Sequence, residues 1–126
     1  MARILLAEDE EALRAFIARA LAQDGHEVVA TADGGEALDV LAREQGRFDL
    51  LLTDIRMPVM DGIALSLAAA RDFPDLTILL MTGYADQRER AHGLDALIHD
   101  VIAKPFSLAE IRKTVAEALL AKRRLL

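Results

Sequence analysis

The sequence predicts an α/β domain of the (βα)5 kind, five β-strands alternating with helices around a parallel sheet. Three observations carry this prediction. Short apolar or β-branched runs recur at residues 4–7, 27–31, 50–53, 77–81 and 98–103. The first, third and fourth lack polar alternation, as expected for strands covered on both faces. The segments between the runs place apolar residues at helical spacing. Crossovers in such a sheet are right-handed, and its functional crevice lies at the carboxyl ends of the strands.

Each element follows in order. The first strand runs into Glu8-Asp9, and the helix after it carries Leu13, Phe16, Ile17, Ala20 and Leu21 on one stripe until Asp24-Gly25 ends it. After the second strand, Asp33 with Glu36 gives a capping signal. The third strand drives Leu50, Leu51 and Leu52 towards Asp54, and Met57-Pro58 and Asp61-Gly62 then break the run. The fourth strand leads to Thr82. Beyond it, Gly83, Gly93 and the polar stretch 86–90 make a helix of low intrinsic stability, with Asp86 and Glu89 as its capping pair. The fifth strand ends in Lys104-Pro105. Ser107 and Glu110 then form a capping box, and Leu108, Ile111, Val115 and Leu119 share one face of the last helix. Lys122, Arg123 and Arg124 suit the C-terminal end of that helix dipole.

Composition narrows the function classes. At 126 residues, 53% hydrophobic and 29% charged, the chain reads as a single globular domain, 1–126, with no linker or attached output domain. A net charge of −6 argues against nucleic-acid binding, which needs excess Lys and Arg facing phosphates. The absence of Cys removes disulfides, thiolate metal sites and cysteine nucleophiles. No apolar run reaches the roughly 18 residues of a membrane helix, and the N-terminus turns acidic too early for a secretory signal, so a cytoplasmic location is expected. His26, His92 and His99 show no metal-ligand spacing, and none is expected to be catalytic.

Chemistry is expected at the strand ends. Glu8 and Asp9, Asp54, Thr82 and Lys104 converge on one edge if the sheet is parallel. Taken singly, Glu8-Asp9, Asp54 and Thr82 have ordinary roles in a helix start or a turn, whereas Lys104 before Pro105 is unusual for a solvated lysine because it follows an apolar strand. Together they form a crowd of carboxylates that repel unless a cation joins them. Mg²⁺ suits such a site, because it is hard, prefers oxygen and takes one or two carboxylates plus phosphate oxygens. Asp54 then reads as a nucleophile forming an aspartyl phosphate, with Lys104 and Thr82 holding the remaining phosphate oxygens.

Glu8-Asp9, Asp54 with Met57-Pro58 and Asp61-Gly62, Thr82-Gly83 and Lys104-Pro105-Phe106 together resemble the receiver domain of two-component response regulators, along essentially the whole chain. The resemblance implies a flavodoxin-like (CheY-like) strand order 2-1-3-4-5 with helices on both faces, and a cis peptide at Lys104-Pro105. It implies that Asp54 is the phosphoacceptor, that Glu8, Asp9, Asp54 and the backbone carbonyl of Arg56 hold Mg²⁺, and that Thr82 and Lys104 contact the phosphoryl group. Many receivers carry an aromatic switch residue where this chain has Val101, and Tyr84 is the nearest substitute. Arg56 and Tyr84 occupy positions that tune water access to the acyl phosphate.

Residues 81–106 are similar to the CpdR-type single-domain receivers of alphaproteobacteria. That likeness implies a histidine kinase or histidine phosphotransferase as phosphodonor, no enzymatic turnover, and an adaptor role in ClpXP proteolysis that phosphorylation switches off. The partner surface expected is the fourth helix, fifth strand and fifth helix, facing ClpXP or its substrates. Two alternatives stay open. A haloacid-dehalogenase-type phosphatase shares the aspartyl nucleophile, although it wants a second carboxylate where Arg56 stands. A pseudo-receiver has the fold but acts without phosphate. A nucleotide-binding module is disfavoured, because no glycine-rich loop follows the first strand.

Overall fold

In the computed structural model of the protein, which describes residues 1–83, 91 and 93–124, five strands form one sheet. They are β1 (Arg3–Ala7), β2 (Glu27–Thr31), β3 (Leu50–Asp54), β4 (Thr77–Thr82) and β5 (Asp100–Ala103). Their order is β2-β1-β3-β4-β5, and every neighbouring pair is parallel. Four helices are present among the described residues: α1 (Glu11–Gln23), α2 (Gly34–Arg43), α3 (Gly62–Asp72) and α4 (Leu108–Arg124). The helix expected between β4 and β5, its Asp86–Glu89 capping pair and His92 lie outside the described residues, and the last helix is α4.

The period-two alternation of the strands divides the core into two layers. Leu5, Leu51, Ile78 and Leu80 point towards α2 and α3, where Ala37, Leu41, Leu65 and Ala69 meet them. Ile4, Leu6, Leu50, Leu52, Leu79 and Met81 point the other way, towards Ile17 and Leu21 of α1 and Ile111 and Val115 of α4. Continuous apolar runs in β1, β3 and β4 are thus explained, since helices cover both faces.

The expected caps hold the helix starts. The amide of Glu110 donates to the Ser107 hydroxyl at 3.1 Å, and the Ser107 amide donates back to Glu110 Oε1 at 3.3 Å. Asp33 accepts from the Glu36 amide at 2.8 Å. Asp61 caps α3, accepting from the Ala64 amide at 2.8 Å. Three details depart from expectation. The β5 ladder begins at Asp100 rather than residue 98, because Ile98 is drawn into the layer beneath α2 and α3. Phe16 is 49% exposed, since α1 buries only the narrower stripe of Ile17, Ala20 and Leu21. Lys122 does more than face the helix dipole: it donates to the Asp49 carbonyl at 3.1 Å, fastening α4 to the start of β3. No helix among the described residues is long and apolar enough to cross a membrane.

Candidate functional site

The register of the sheet gathers the polar strand ends. β1 and β3 run side by side from Ile4–Leu50 to Ala7–Thr53, so Glu8 and Asp54 emerge next to each other at the same edge. β4 pairs Met81 with Asp54, and β5 pairs Ala103 with Thr82, which delivers Lys104 to that edge. The turn after Asp54 closes tightly, with the Gly62 amide donating to the Ile55 carbonyl at 2.8 Å. A Cβ on Gly62 would sit 2.0 Å from the Asp54 carbonyl oxygen, so only glycine lets the chain return here.

Lys104 is the hub of the apolar-walled site. Its Nζ lies 2.9 Å from Glu8 Oε1 and 3.2 Å from Asp54 Oδ1. Glu8 is fully buried, and its second oxygen, Oε2, accepts from the Glu10 amide at 3.0 Å. Asp54 is 6% exposed, and its Oδ1 also accepts from the Ile55 amide at 3.0 Å. Asp9 is exposed at the rim. Glu8, Asp9 and Asp54 each offer a carboxylate oxygen within 4.8 Å of the others. They border a cavity of about 610 Å³, together with Arg56 and Lys104, and Leu13 and Phe106 supply apolar walls.

The electrostatics follow from that crowding. Burial is the main reason the Glu8 carboxyl is pushed above the ordinary carboxylate range, and the Asp54 charge adds to it against the Glu10 amide and Lys104. Burial likewise raises Asp54, over the opposing pull of Lys104 and the Ile55 amide. For Lys104, burial disfavours the ammonium, yet the Glu8 hydrogen bond and the two carboxylate charges outweigh it and raise its pKa. One monovalent ammonium therefore serves two buried carboxylates that remain reluctant to ionise. A hard divalent cation fits this donor set, since three carboxylates on one cavity exceed what Lys104 neutralises.

The sequence-predicted residues are not all at the cavity. Glu8, Asp9, Asp54, Arg56, Lys104 and Pro105 line it, and the Lys104-Pro105 peptide is cis. Thr82 ends β4 beside the site but is 1% exposed and does not line the cavity, whereas Gly83 does. Val101 lies elsewhere, half-buried in β5, packed on the layer beneath α2 and α3. Tyr84 lies outside the described residues. Sequence reasoning missed the amides of Glu10 and Ile55 as carboxylate donors, because a backbone N–H carries no residue-type signal. It also missed Leu13 as a wall, although its place on the apolar stripe of α1 one turn from Asp9 could have suggested it.

The family model for the response regulator receiver domain matches residues 4–116. The response regulator receiver protein CpdR of Brucella abortus is 39% identical over 121 residues, covering 96% of this chain and 99% of that protein. The chain spans about half the length of other curated relatives, such as the response regulator MprA of Mycobacterium avium, of which it covers 47%. A CheY-like receiver domain protein from Methanospirillum hungatei superposes with a TM-score of 0.91 at 28% identity, covering 100% of this chain and 99% of the other. The response regulator TrrA of Thermotoga maritima, solved in complex with Mg²⁺-BeF, gives a TM-score of 0.81 at 27% identity, with coverage of 94% and 99%. On these matches and on the architecture above, the chain belongs to the response regulator receiver domain family.

Proposed function

We propose that the chain works in the cytoplasm as a receiver that accepts a phosphoryl group on Asp54 from a phosphohistidine of a kinase or phosphotransferase. The observation that carries this reading is the meeting of Glu8, Asp9 and Asp54 with Lys104 around one cavity. Asp54 Oδ1 is engaged by the Ile55 amide and Lys104, which leaves Oδ2 as the attacking oxygen. Its lone pair forms the new P–O bond while the donor P–N bond breaks and its electron pair returns to the imidazole. Glu8, Asp9, Asp54 and the Arg56 carbonyl would hold Mg²⁺, which neutralises phosphate charge when bound. Lys104 exchanges a carboxylate for a phosphoryl oxygen without leaving the site, and Thr82 at the end of β4 supplies the hydroxyl beside it. Arg56 and Tyr84 govern water access to the acyl phosphate, so they set its lifetime.

The output we propose is a change of protein-binding surface, made by the segment after Thr82, Val101 in β5, and α4. Likeness to CpdR over 96% of the chain supports an adaptor role in ClpXP proteolysis that phosphorylation turns off. The test is incubation with acetyl phosphate, with and without Mg²⁺, followed by intact mass measurement. Wild type is expected to gain one phosphoryl group only with Mg²⁺, and Asp54→Ala none. Equal modification of the mutant would overturn the assignment of Asp54.

A further inference from the structure

Asp9 is the weakly held member of the acid set. Glu8 is pinned on every side: its amide donates to the Thr31 carbonyl at 3.1 Å, and its two carboxylate oxygens are taken by Lys104 and the Glu10 amide. Among the described residues, nothing donates to the Asp9 carboxylate, whose direction therefore depends on the peptide that precedes it. The start of α1 gives little help, because Glu10 at its N-cap makes no side-chain cap bond. What does hold that peptide comes from inside the helix. Arg14, half-buried, folds back along α1 and its Nη1 donates to the Glu8 carbonyl at 2.9 Å.

We propose that Arg14 is a positioning residue for the metal pair: through the Glu8 carbonyl it fixes the Glu8–Asp9 peptide and so aims Asp9 into the cavity. The proposal rests on reading Glu8, Asp9 and Asp54 as Mg²⁺ ligands. Groups that orient ligands are worth roughly 10- to 100-fold in metal affinity. Charge and position make opposite predictions here. Removing a nearby guanidinium leaves the site more negative, which by charge alone tightens Mg²⁺ binding. Loss of positioning weakens it.

The experiment is calorimetric titration of the full chain with MgCl₂ at constant ionic strength, on wild type, Arg14→Met, Arg14→Ala, Arg14→Lys and Arg19→Ala. Two donor-free replacements are used so that the result does not depend on how one of them packs. Both are expected to bind Mg²⁺ about 10-fold more weakly, while Arg14→Lys, which keeps a cationic donor, recovers most of the affinity. Arg19 is exposed on the same helix, and its removal should leave binding unchanged or slightly tighter. Unchanged or tighter binding in both donor-free variants would overturn the positioning role alone. If wild type itself binds no Mg²⁺, the reading of Glu8, Asp9 and Asp54 as metal ligands fails, and the positioning role with it.

Discussion

Asp54 and Glu8 are held in a condition that favours their protonated forms, and this has a consequence for stability. A carboxyl whose folded pKa is raised contributes stability that is fully present below its unfolded value and is lost as pH rises through the folded one. Both groups are raised, chiefly by burial, so ionised carboxylates work against the fold when no divalent cation is bound. Asp54→Asn resembles the protonated side chain. In chelator it is expected to be more stable than wild type at neutral pH, with the difference shrinking as pH falls through the raised pKa of Asp54 and levelling off once the ordinary carboxylate range is reached. Urea unfolding at several pH values measures this; a mutant less stable than wild type at neutral pH would contradict it. Lys104 follows the same sign at higher pH: its pKa is raised too, so its contribution is fully present below the ordinary lysine range and is lost as pH climbs through the raised value. Behind the carboxylate, Gly62 allows the return of the chain against the Asp54 carbonyl. Gly62→Ala forces a backbone shift and is expected to cost roughly 3 kcal/mol, read as a lowered denaturation midpoint. It should also impair phosphorylation, since the strand end carrying Asp54 must move.

Among the elements, α4 shows how a local signal and a distant contact combine. Its start is specified by the reciprocal Ser107–Glu110 bonds, and its buried face by Ile111, Val115 and Ala118. Ser107→Ala is expected to destabilise the protein by about 1 kcal/mol. Thermal unfolding should register this as a shift of a few degrees, with Mg²⁺ affinity unaltered because the cap bonds run between Ser107 and Glu110 and engage none of the site acids. The far end of the same helix is tied down by Lys122 reaching Asp49, whose Oδ2 in turn accepts from the Arg3 amide at 2.8 Å. Arg3 extends this lattice at the base of the sheet. It pairs with Glu27 at 3.0 Å and Glu44 at 2.9 Å, and lies 4.5 Å over the Phe48 ring. The base is therefore braced by ion pairs of fixed partners, whereas the opposite edge concentrates carboxylates that call for a ligand.

For the molecule as a whole, the site is a junction of three strand ends, and a ligand bound there ties β1, β3 and β5 together. Mg²⁺ at about 100 times its dissociation constant is expected to stabilise the fold by about 2.7 kcal/mol. Calorimetry should show a higher Tm with Mg²⁺ than with chelator, and Asp54→Asn should abolish most of the rise; no shift in wild type would argue against a resident cation. Much of this was readable beforehand. Apolar runs without alternation specified β1, β3 and β4, and the Ser107–Glu110 and Asp33–Glu36 spacings specified helix starts, because these signals are local and act within one turn or one strand. The acids, Thr82 and Lys104 were recognisable as strand-end residues for the same reason. Distances were not readable. Lys104 lies 96 residues from Glu8, and only the register of three parallel strand pairs decides that its ammonium reaches Glu8 and Asp54 together. Tertiary packing also decided that Val101 packs on the layer beneath α2 and α3, that Phe16 is left exposed, and that the backbone amides of Glu10 and Ile55 serve the carboxylates. Residue type and spacing encode which groups arrive at an edge, but the direction each one faces is a property of the assembled sheet.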